Sequence, residues 1–301
     1  MTRKTDPQQL LVRVNTPVYA LAGKNGPVFS DTPGSDPDAV LAQAPAVPLE
    51  NLGDPAFRQR HRLRCNYVAG AMANGICSTA MVKAMARNGM LAFFGAGGLS
   101  LDEIETAIRD LKSDLGDLPY GFNLIHSLSD PAHEMATVEM YLKHGIRLVS
   151  AAAFMRMTEA LVYYRVKGIH EDPSGSIITP NQIKAKVSRV EVARQFFAPP
   201  PEKLLAKLVT AGELTGDQVS LARMVPVASE LTAEADSGGH TDNRQALTLL
   251  PTMMNLRNEI AARFNYAEPI SVGLGGGIAT PEAAAAAFAL GADYILTGTV
   301  N

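Results

Sequence analysis

The residues Ile270 to Asn301, ISVGLGGGIATPEAAAAAFALGADYILTGTVN, leave few folds open. Ile270–Leu274 is a short apolar run of the kind that forms a buried parallel strand, and it leads straight into Gly275, Gly276 and Gly277. Thr280 is placed as an N-cap, Pro281 takes the first helical position, and the alanine-rich stretch to Leu290 favours a helix closed by Gly291. A second buried strand, Asp293–Leu296, breaks at Thr297, Gly298 and Thr299. Strand, glycine loop, helix, strand and small polar loop is the order that builds a phosphate site after the last two strands of a (β/α)8 barrel, with two backbone nests facing one dianion. The alternative is an ordinary βαβ unit whose glycines serve only as turns.

The rest of the chain repeats the strand-then-helix alternation. Residues 1–65 stand apart: Leu10–Val14 and Val18–Leu21 read as short strands, and Gly26–Pro48 has the composition of a loop, so a small β-containing segment and linker are expected. From residue 66 to 301 the expected strands are Tyr67–Met72, Met90–Phe94, Tyr120–Ile125, Ile146–Ser150, Lys184–Val187, Glu230–Ala235, Ile270–Leu274 and Asp293–Leu296. Ser78 caps a helix to Asn88, Ser100 and Glu103 form a capping box, Asp130-Pro131 opens a helix that ends at Gly145, and Ser188 with Glu191 reads as a second capping box. A charged helical insertion is expected at about 199–224, and a helix from about Asp242 to Phe264. This alternation implies an α/β fold with parallel pairing, a (β/α)8 TIM barrel. The chain stops at Asn301 without the barrel's closing helix, which predicts that the outer face of Tyr294–Leu296 is left to water.

Composition excludes several functions. A net charge of −3, with no basic block, gives no footprint for nucleic acid. No apolar run approaches the ~18 residues of a membrane span, and MTRKTDPQQ is not a signal peptide, so the cytosol is the expected compartment. Cys65 and Cys77 define neither a disulfide framework nor a metal cluster.

In such barrels the reactive groups lie at the C-terminal ends of the strands. The candidates are Met72, Ala73 and Asn74, then Gly95, Asn123, Lys186 and Glu234, then Gly238, Gly239 and His240, and finally Gly276, Gly277, Gly298 and Thr299. Backbone at the first strand end, an amide at the third and a lysine at the fifth suit a flat, polar, phosphate-bearing cofactor. Flavin mononucleotide (FMN) matches that description.

The segments YVAGAMANGICSTAMVKAMARNGMLAFFGAGGL, YGFNLIHS, KAKVSRVEVARQF, AEADSGGHTDNR and VGLGGGIATPEAAAAAFALGADYILTGTVN together resemble the PfaD-type trans-acting enoyl reductases of polyunsaturated fatty acid and polyketide synthases. These belong to the FMN-binding superfamily of nitronate monooxygenase. The resemblance, over about Tyr67–Asn301, implies an enzyme that takes hydride from NADPH through FMN to the double bond of an enoyl thioester. The implied partners are the acyl carrier protein domains of a multienzyme synthase, and a homodimer is open. It implies Met72 and Ala73 at the isoalloxazine edge and Asn123 and Lys186 at the ring and ribityl chain. Gly238, Gly239, Gly276, Gly277, Gly298 and Thr299 fall around the phosphate, and His240 on the catalytic histidine. Glu234 aligns loosely because its loop is one residue shorter, and Ala71 stands where the superfamily usually has proline.

Other readings of the same residues stay open. His240 taken alone is a solvated loop histidine or a proton donor over the flavin. Lys186 binds flavin charge or snorkels to solvent, and Asn123 contacts the ring or satisfies barrel-end backbone. His126, His133, His144 and His170 read as surface or packing residues, and Cys77 as a small core residue. As whole functions, a nitronate monooxygenase, a phosphate-binding lyase or isomerase without redox cofactor, and a non-catalytic scaffold compete with the reductase.

Overall fold

The structure, a computed structural model, describes residues 6–237 and 241–301. By contact it divides into one unit that ends at Leu52 and a second, Gly53–Asn301.

The first unit holds a helix, Pro7–Leu11, and an antiparallel sheet in which Val18–Leu21 lies between Val28–Ser30 and Val40–Ala44. Two expectations are corrected here. Leu10–Val14 is not a strand, because Asp6 accepts from the Gln8 amide and Pro7 sits at the first helical position, so the chain turns helical. The loop-like stretch Gly26–Pro48 contains two strands, since pairing with Val18–Leu21 supplies the partners that local composition does not reveal.

The second unit is a closed parallel barrel with its strands in sequence order. They are β1 (Tyr67–Ala69), β2 (Leu91–Phe94), β3 (Gly121–Ile125), β4 (Leu148–Ala152), β5 (Gln182–Val187), β6 (Glu230–Glu234), β7 (Ser271–Gly275) and β8 (Ile295–Thr297). A short helix α1 (Pro55–Arg60) precedes β1. The outer helices are α2 (Thr79–Arg87), α3 (Leu101–Leu115), α4 (Pro131–Lys143), α5 (Glu159–Val166), α6 (Val190–Phe197), α7 (Glu202–Thr210), α8 (Gly216–Ala222), α9 (Ala246–Phe264) and α10 (Pro281–Ala289). The caps at Ser78, Asp130 and Thr280 and the Ser100–Glu103 box form as the sequence indicates. The Ser188–Glu191 box does not: Arg189 is the N-cap of α6 and makes no side-chain cap bond, while Ser188 donates to Asp242. Helix α5 has no counterpart in the sequence reading. It is buried from Ala160 to Val166, so it carries no amphipathic period to be read.

Two apolar clusters result. The larger lies between strands and outer helices, and the smaller fills the barrel interior with Phe57, Val68, Leu91, Phe93, Leu148, Tyr294 and Leu296. Tyr294 and Leu296 therefore face inward and Ile295 is 3% exposed, which corrects the expectation that this strand is left to water. Residues 53–65 pack with the barrel because Phe57 and His61 of the α1 region close its N-terminal end.

Among those rings sits a charged cluster. Lys184 and Glu230 are both fully buried register partners on β5 and β6, and the lysine Nζ donates to Glu230 Oε2. His61 Nε2 bonds the other carboxyl oxygen, and Arg60 lies 3.5 Å from it. The lysine Nζ is 3.8 Å from the Tyr294 ring centroid and 4.5 Å from that of Phe57. Burial pushes Lys184 down to about 8 against the pull of Glu230. Burial would raise Glu230, but His61 and Lys184 override it and hold the carboxyl well below its usual range.

Glu230→Gln leaves Lys184 buried without its counter-charge, a change that costs about 3–5 kcal/mol. The expected fall in melting temperature is on the order of 10 °C at pH 7. Because the folded-state carboxyl is depressed, its contribution is present above pH 4.5, the ordinary value for the group, and fades as pH falls. The gap between parent and variant in a thermal melt should accordingly narrow with acidification.

Candidate active site

The C-terminal ends of β1, β7 and β8 enclose a cavity of about 350 Å3. On one wall Gly276 and Gly277 are consecutive left-handed residues, with φ of 97° and 70°. A Cβ on Gly276 would lie 2.1 Å from the carbonyl oxygen of Ala235, so only glycine fits. On the other wall Gly298 and Thr299 follow β8, in a loop tied down by Asn301. Its Oδ1 accepts from Tyr67 Oη at 2.7 Å, and that hydroxyl accepts from Thr297 Oγ1 at 2.7 Å. Among the described residues no acceptor takes the amide N–H of Gly276, Gly277, Gly298 or Thr299. These four residues, on two adjoining loops, line one cavity.

Lys186 and Glu234 close the cavity toward the barrel axis. They are paired at 2.7 Å, each about a quarter exposed, and both also line a second cavity of about 480 Å3. That space is bounded by Ser188, Arg189 and Asp242, where Arg189 holds Asp242 through Nε at 3.0 Å and a terminal nitrogen at 2.8 Å. Hydrogen bonds from Arg189 and then Ser188 keep the Asp242 carboxyl well below its usual range. Sequence spacing pointed to Ser188 as a cap and so missed this contact across 54 residues. Three non-glycine residues with left-handed backbone, Asn74, Ala153 and Asn243, lie in the loops at this end of the barrel.

Of the residues singled out from sequence, Met72, Lys186, Glu234, Gly276, Gly277, Gly298 and Thr299 line the first cavity. Ala73 is exposed beside it and its carbonyl accepts from Ile76. Asn123 is 5% exposed, donates from Nδ2 to the Ser150 carbonyl at 3.0 Å, and lines a third cavity instead. Gly238, Gly239 and His240 lie outside the described residues. Cys77 is buried, and burial pushes its thiol up to about 11, which keeps it a core residue. Sequence reasoning passed over His126, which is buried against Glu134 across a turn that only the fold brings together.

With this geometry, comparison with known proteins becomes informative. Residues 63–300 match the family described as nitronate monooxygenase. The chain belongs to the nitronate monooxygenase family. It is 44% identical to the polyketide biosynthesis protein PksE of Bacillus subtilis (strain 168) over 256 residues, 85% of this chain and 33% of that one. It is 40% identical over 301 residues to one of the polyunsaturated fatty acid synthase subunits of Thraustochytrium sp. (strain ATCC 26185 / S-3), covering 99% of this chain and 20% of that one. The chain thus spans a fifth to a third of these curated relatives. The enoyl reductase domain of MlnA, from the macrolactin biosynthesis cluster of Bacillus amyloliquefaciens, superposes with a TM-score of 0.80 at 38% identity, covering 84% of this chain and 57% of that one. FabK of Thermotoga maritima, at 23% identity and a TM-score of 0.52 over 81% of this chain and 61% of that one, shares the fold. The likeness read from the motifs is borne out for the family: this nitronate monooxygenase family member is similar to an enoyl reductase domain and to polyketide and polyunsaturated fatty acid synthase proteins. Among the described residues no helix is long and apolar enough to cross a membrane.

The two glycine loops respond differently to a methyl group. Gly276→Ala imposes a left-handed alanine against backbone and should cost at least ~1–3 kcal/mol. Gly298→Ala meets only the Met72 sulfur at 3.9 Å and should stay within about 0.5 kcal/mol of the parent. Thermal melts of the two variants check this contrast.

Proposed function

We propose that the chain is an FMN-dependent enoyl reductase that uses NADPH to reduce the double bond of an enoyl thioester carried by an acyl carrier protein of a polyketide or fatty acid synthase. The observation that carries the reading is the pair of adjoining loops whose four amides have no intramolecular acceptor among the described residues. The fit is that of a terminal monophosphate, which favours FMN over FAD. Gly276, Gly277, Gly298 and Thr299 hold the phosphate, Met72 and Ala73 edge the ring, and Lys186, kept in place by Glu234, provides positive charge above the barrel axis. Asn123 is assigned to the ring side, and Gly238 and Gly239 to the phosphate side. The chemistry that FMN supplies when bound is hydride transfer from NADPH to a conjugated carbon–carbon double bond.

Reduction of the double bond also requires a proton at the α-carbon, and His240 is assigned to supply it, since an imidazole ring can hold and release a proton. The name of the matched family supports a second reading, a nitronate monooxygenase. NADPH oxidation that depends on a crotonyl thioester, against oxygen consumption that depends on a nitronate, separates the two.

The purified protein should be yellow and release FMN on denaturation, identified by its mass; release of FAD, or a colourless protein that takes up no FMN, would sink the reading. Gly298→Asp places a carboxylate at the phosphate with little backbone strain. A charge about 4 Å from another at an effective dielectric of about 20 is worth on the order of 4 kcal/mol, so FMN affinity should fall at least ~100-fold. His240→Ala should keep its flavin and lose at least ~100-fold in thioester-dependent turnover. Flavin loss in that variant would instead assign His240 to binding.

A further inference from the structure

The turn after β8 is exposed, yet it is braced from behind. Thr299 and Val300 are its exposed residues, and the Asn301 amide closes it on the Gly298 carbonyl at 3.1 Å. Asn301 then reaches back to β8 with both ends of its side-chain amide. Nδ2 donates to the Thr297 carbonyl at 3.2 Å, and that carbonyl also accepts from the Gly70 amide at 2.8 Å. Oδ1 accepts from Tyr67 Oη at 2.7 Å. The Thr297 hydroxyl lies 2.7 Å from the phenol oxygen and 2.9 Å from Asn301 Oδ1, so its proton serves either acceptor. Tyr67 is the register partner of Ile295, and both pack with the cluster outside the barrel, so the phenol climbs the outer face of β8 to reach Thr297. Neither Tyr67 nor Asn301 lines the cavity of about 350 Å3 that Gly298 and Thr299 line from the other side.

The braced turn is not one that the chain needs for its own packing. Gly298 does not have a left-handed backbone, and a Cβ there would meet only Met72 Sδ, at 3.9 Å, among the described residues. Neither conformation nor crowding within the chain calls for glycine at this position, and the space left by its missing side chain opens on the cavity.

We infer that Tyr67 is a positioning residue for the phosphate: its hydroxyl, acting through Asn301 and Thr297, holds the turn Gly298–Asn301 in the shape in which the Gly298 and Thr299 amides meet that group. This role rests on the FMN reading above and deepens it, since Tyr67 itself touches no ligand. A turn that its ligand must order takes that cost out of the affinity, whereas a turn already ordered does not. The Gly70–Thr297 bond does not involve the phenol, so the loop after β1, assigned to the ring, keeps its tie when the hydroxyl is removed.

Riboflavin, which is FMN without its phosphate, separates this role from a general contribution to stability. Dissociation constants of both flavins are read by fluorescence quenching on the full chain freed of flavin. Tyr67→Phe should bind FMN about tenfold more weakly, the worth of one hydrogen bond, and should bind riboflavin as the parent does. Thr297→Val, which lacks the hydroxyl, should show the same selective loss, and Thr297→Ser, which keeps it, should not. An equal loss for both flavins would make Tyr67 a structural residue of the barrel and overturn the role. Full retention of the preference for FMN in Tyr67→Phe and Thr297→Val would also overturn it, while leaving the FMN reading in place. A parent that binds FMN no more tightly than riboflavin sinks the FMN reading, and the role with it.

Discussion

The buried pair Lys184–Glu230 fixes the geometry on which the mouth of the barrel depends. The two residues are opposite one another in the β5–β6 ladder, so their bond locks the register of those strands. Side chains alternate along a strand, which puts Lys186 on the same inward face one layer up, and Thr232 and Glu234 above Glu230. The second ion pair, Lys186–Glu234 at 2.7 Å, is the upper consequence of the lower one. A charge in that interior is tolerable only with partners. Helix α1 and the residue after it deliver Arg60, His61 and the Phe57 ring to it, and β8 contributes Tyr294. The segment before the first strand is therefore part of the barrel's core chemistry.

The interior is filled from the bottom and left open at the top. Gly121 and Gly273 have inward positions where a Cβ would lie 2.5 Å from the Phe93 ring and 2.3 Å from the Tyr294 ring. Large rings against glycines give dense packing without strain in the lower layers. Towards the mouth the inward positions of three strands are Gly70, Gly95 and Gly275, and Leu296, the loop after β1 and Thr232 come up against them where a Cβ would lie. A Cβ on Gly95 would lie 1.7 Å from the Met72 carbonyl, so the loop after β1 rests directly on β2. Rings against glycines below and close chain contacts at glycines above come from the same alternation.

Much of this was legible in the chain. Each barrel strand falls on a run read from the sequence, though β5 and β6 carry charged residues, and four helix starts follow from their capping residues, because both signals are local. What was lost was non-local. Ser188 has the spacing of a cap but finds a stronger acceptor in Asp242. Tyr294–Leu296 looks like an outer face until the strand's inward side is known. Helix α5 hides because all its sides are buried. In the site, the two glycine loops could be read, since glycine and turn chemistry are written in sequence. The burial of His126 could not, because it depends on Glu134 beyond a helix start and on the Phe154 ring.

A site made of main-chain amides tolerates substitution in a way that a site of side chains does not. Ala71 is instructive, since the resemblance leads one to expect proline there. Its neighbour Gly70 donates to the Thr297 carbonyl at 2.8 Å, but the Ala71 amide has no acceptor among the described residues. Proline lacks that N–H, so exchanging the two residues removes no hydrogen bond among the described residues. A cavity walled by main-chain amides can therefore keep its shape while the side chains around it change. Chemical selectivity must then rest with the few side chains that reach the cavities with polar atoms, of which Lys186 and Glu234 hold each other in place.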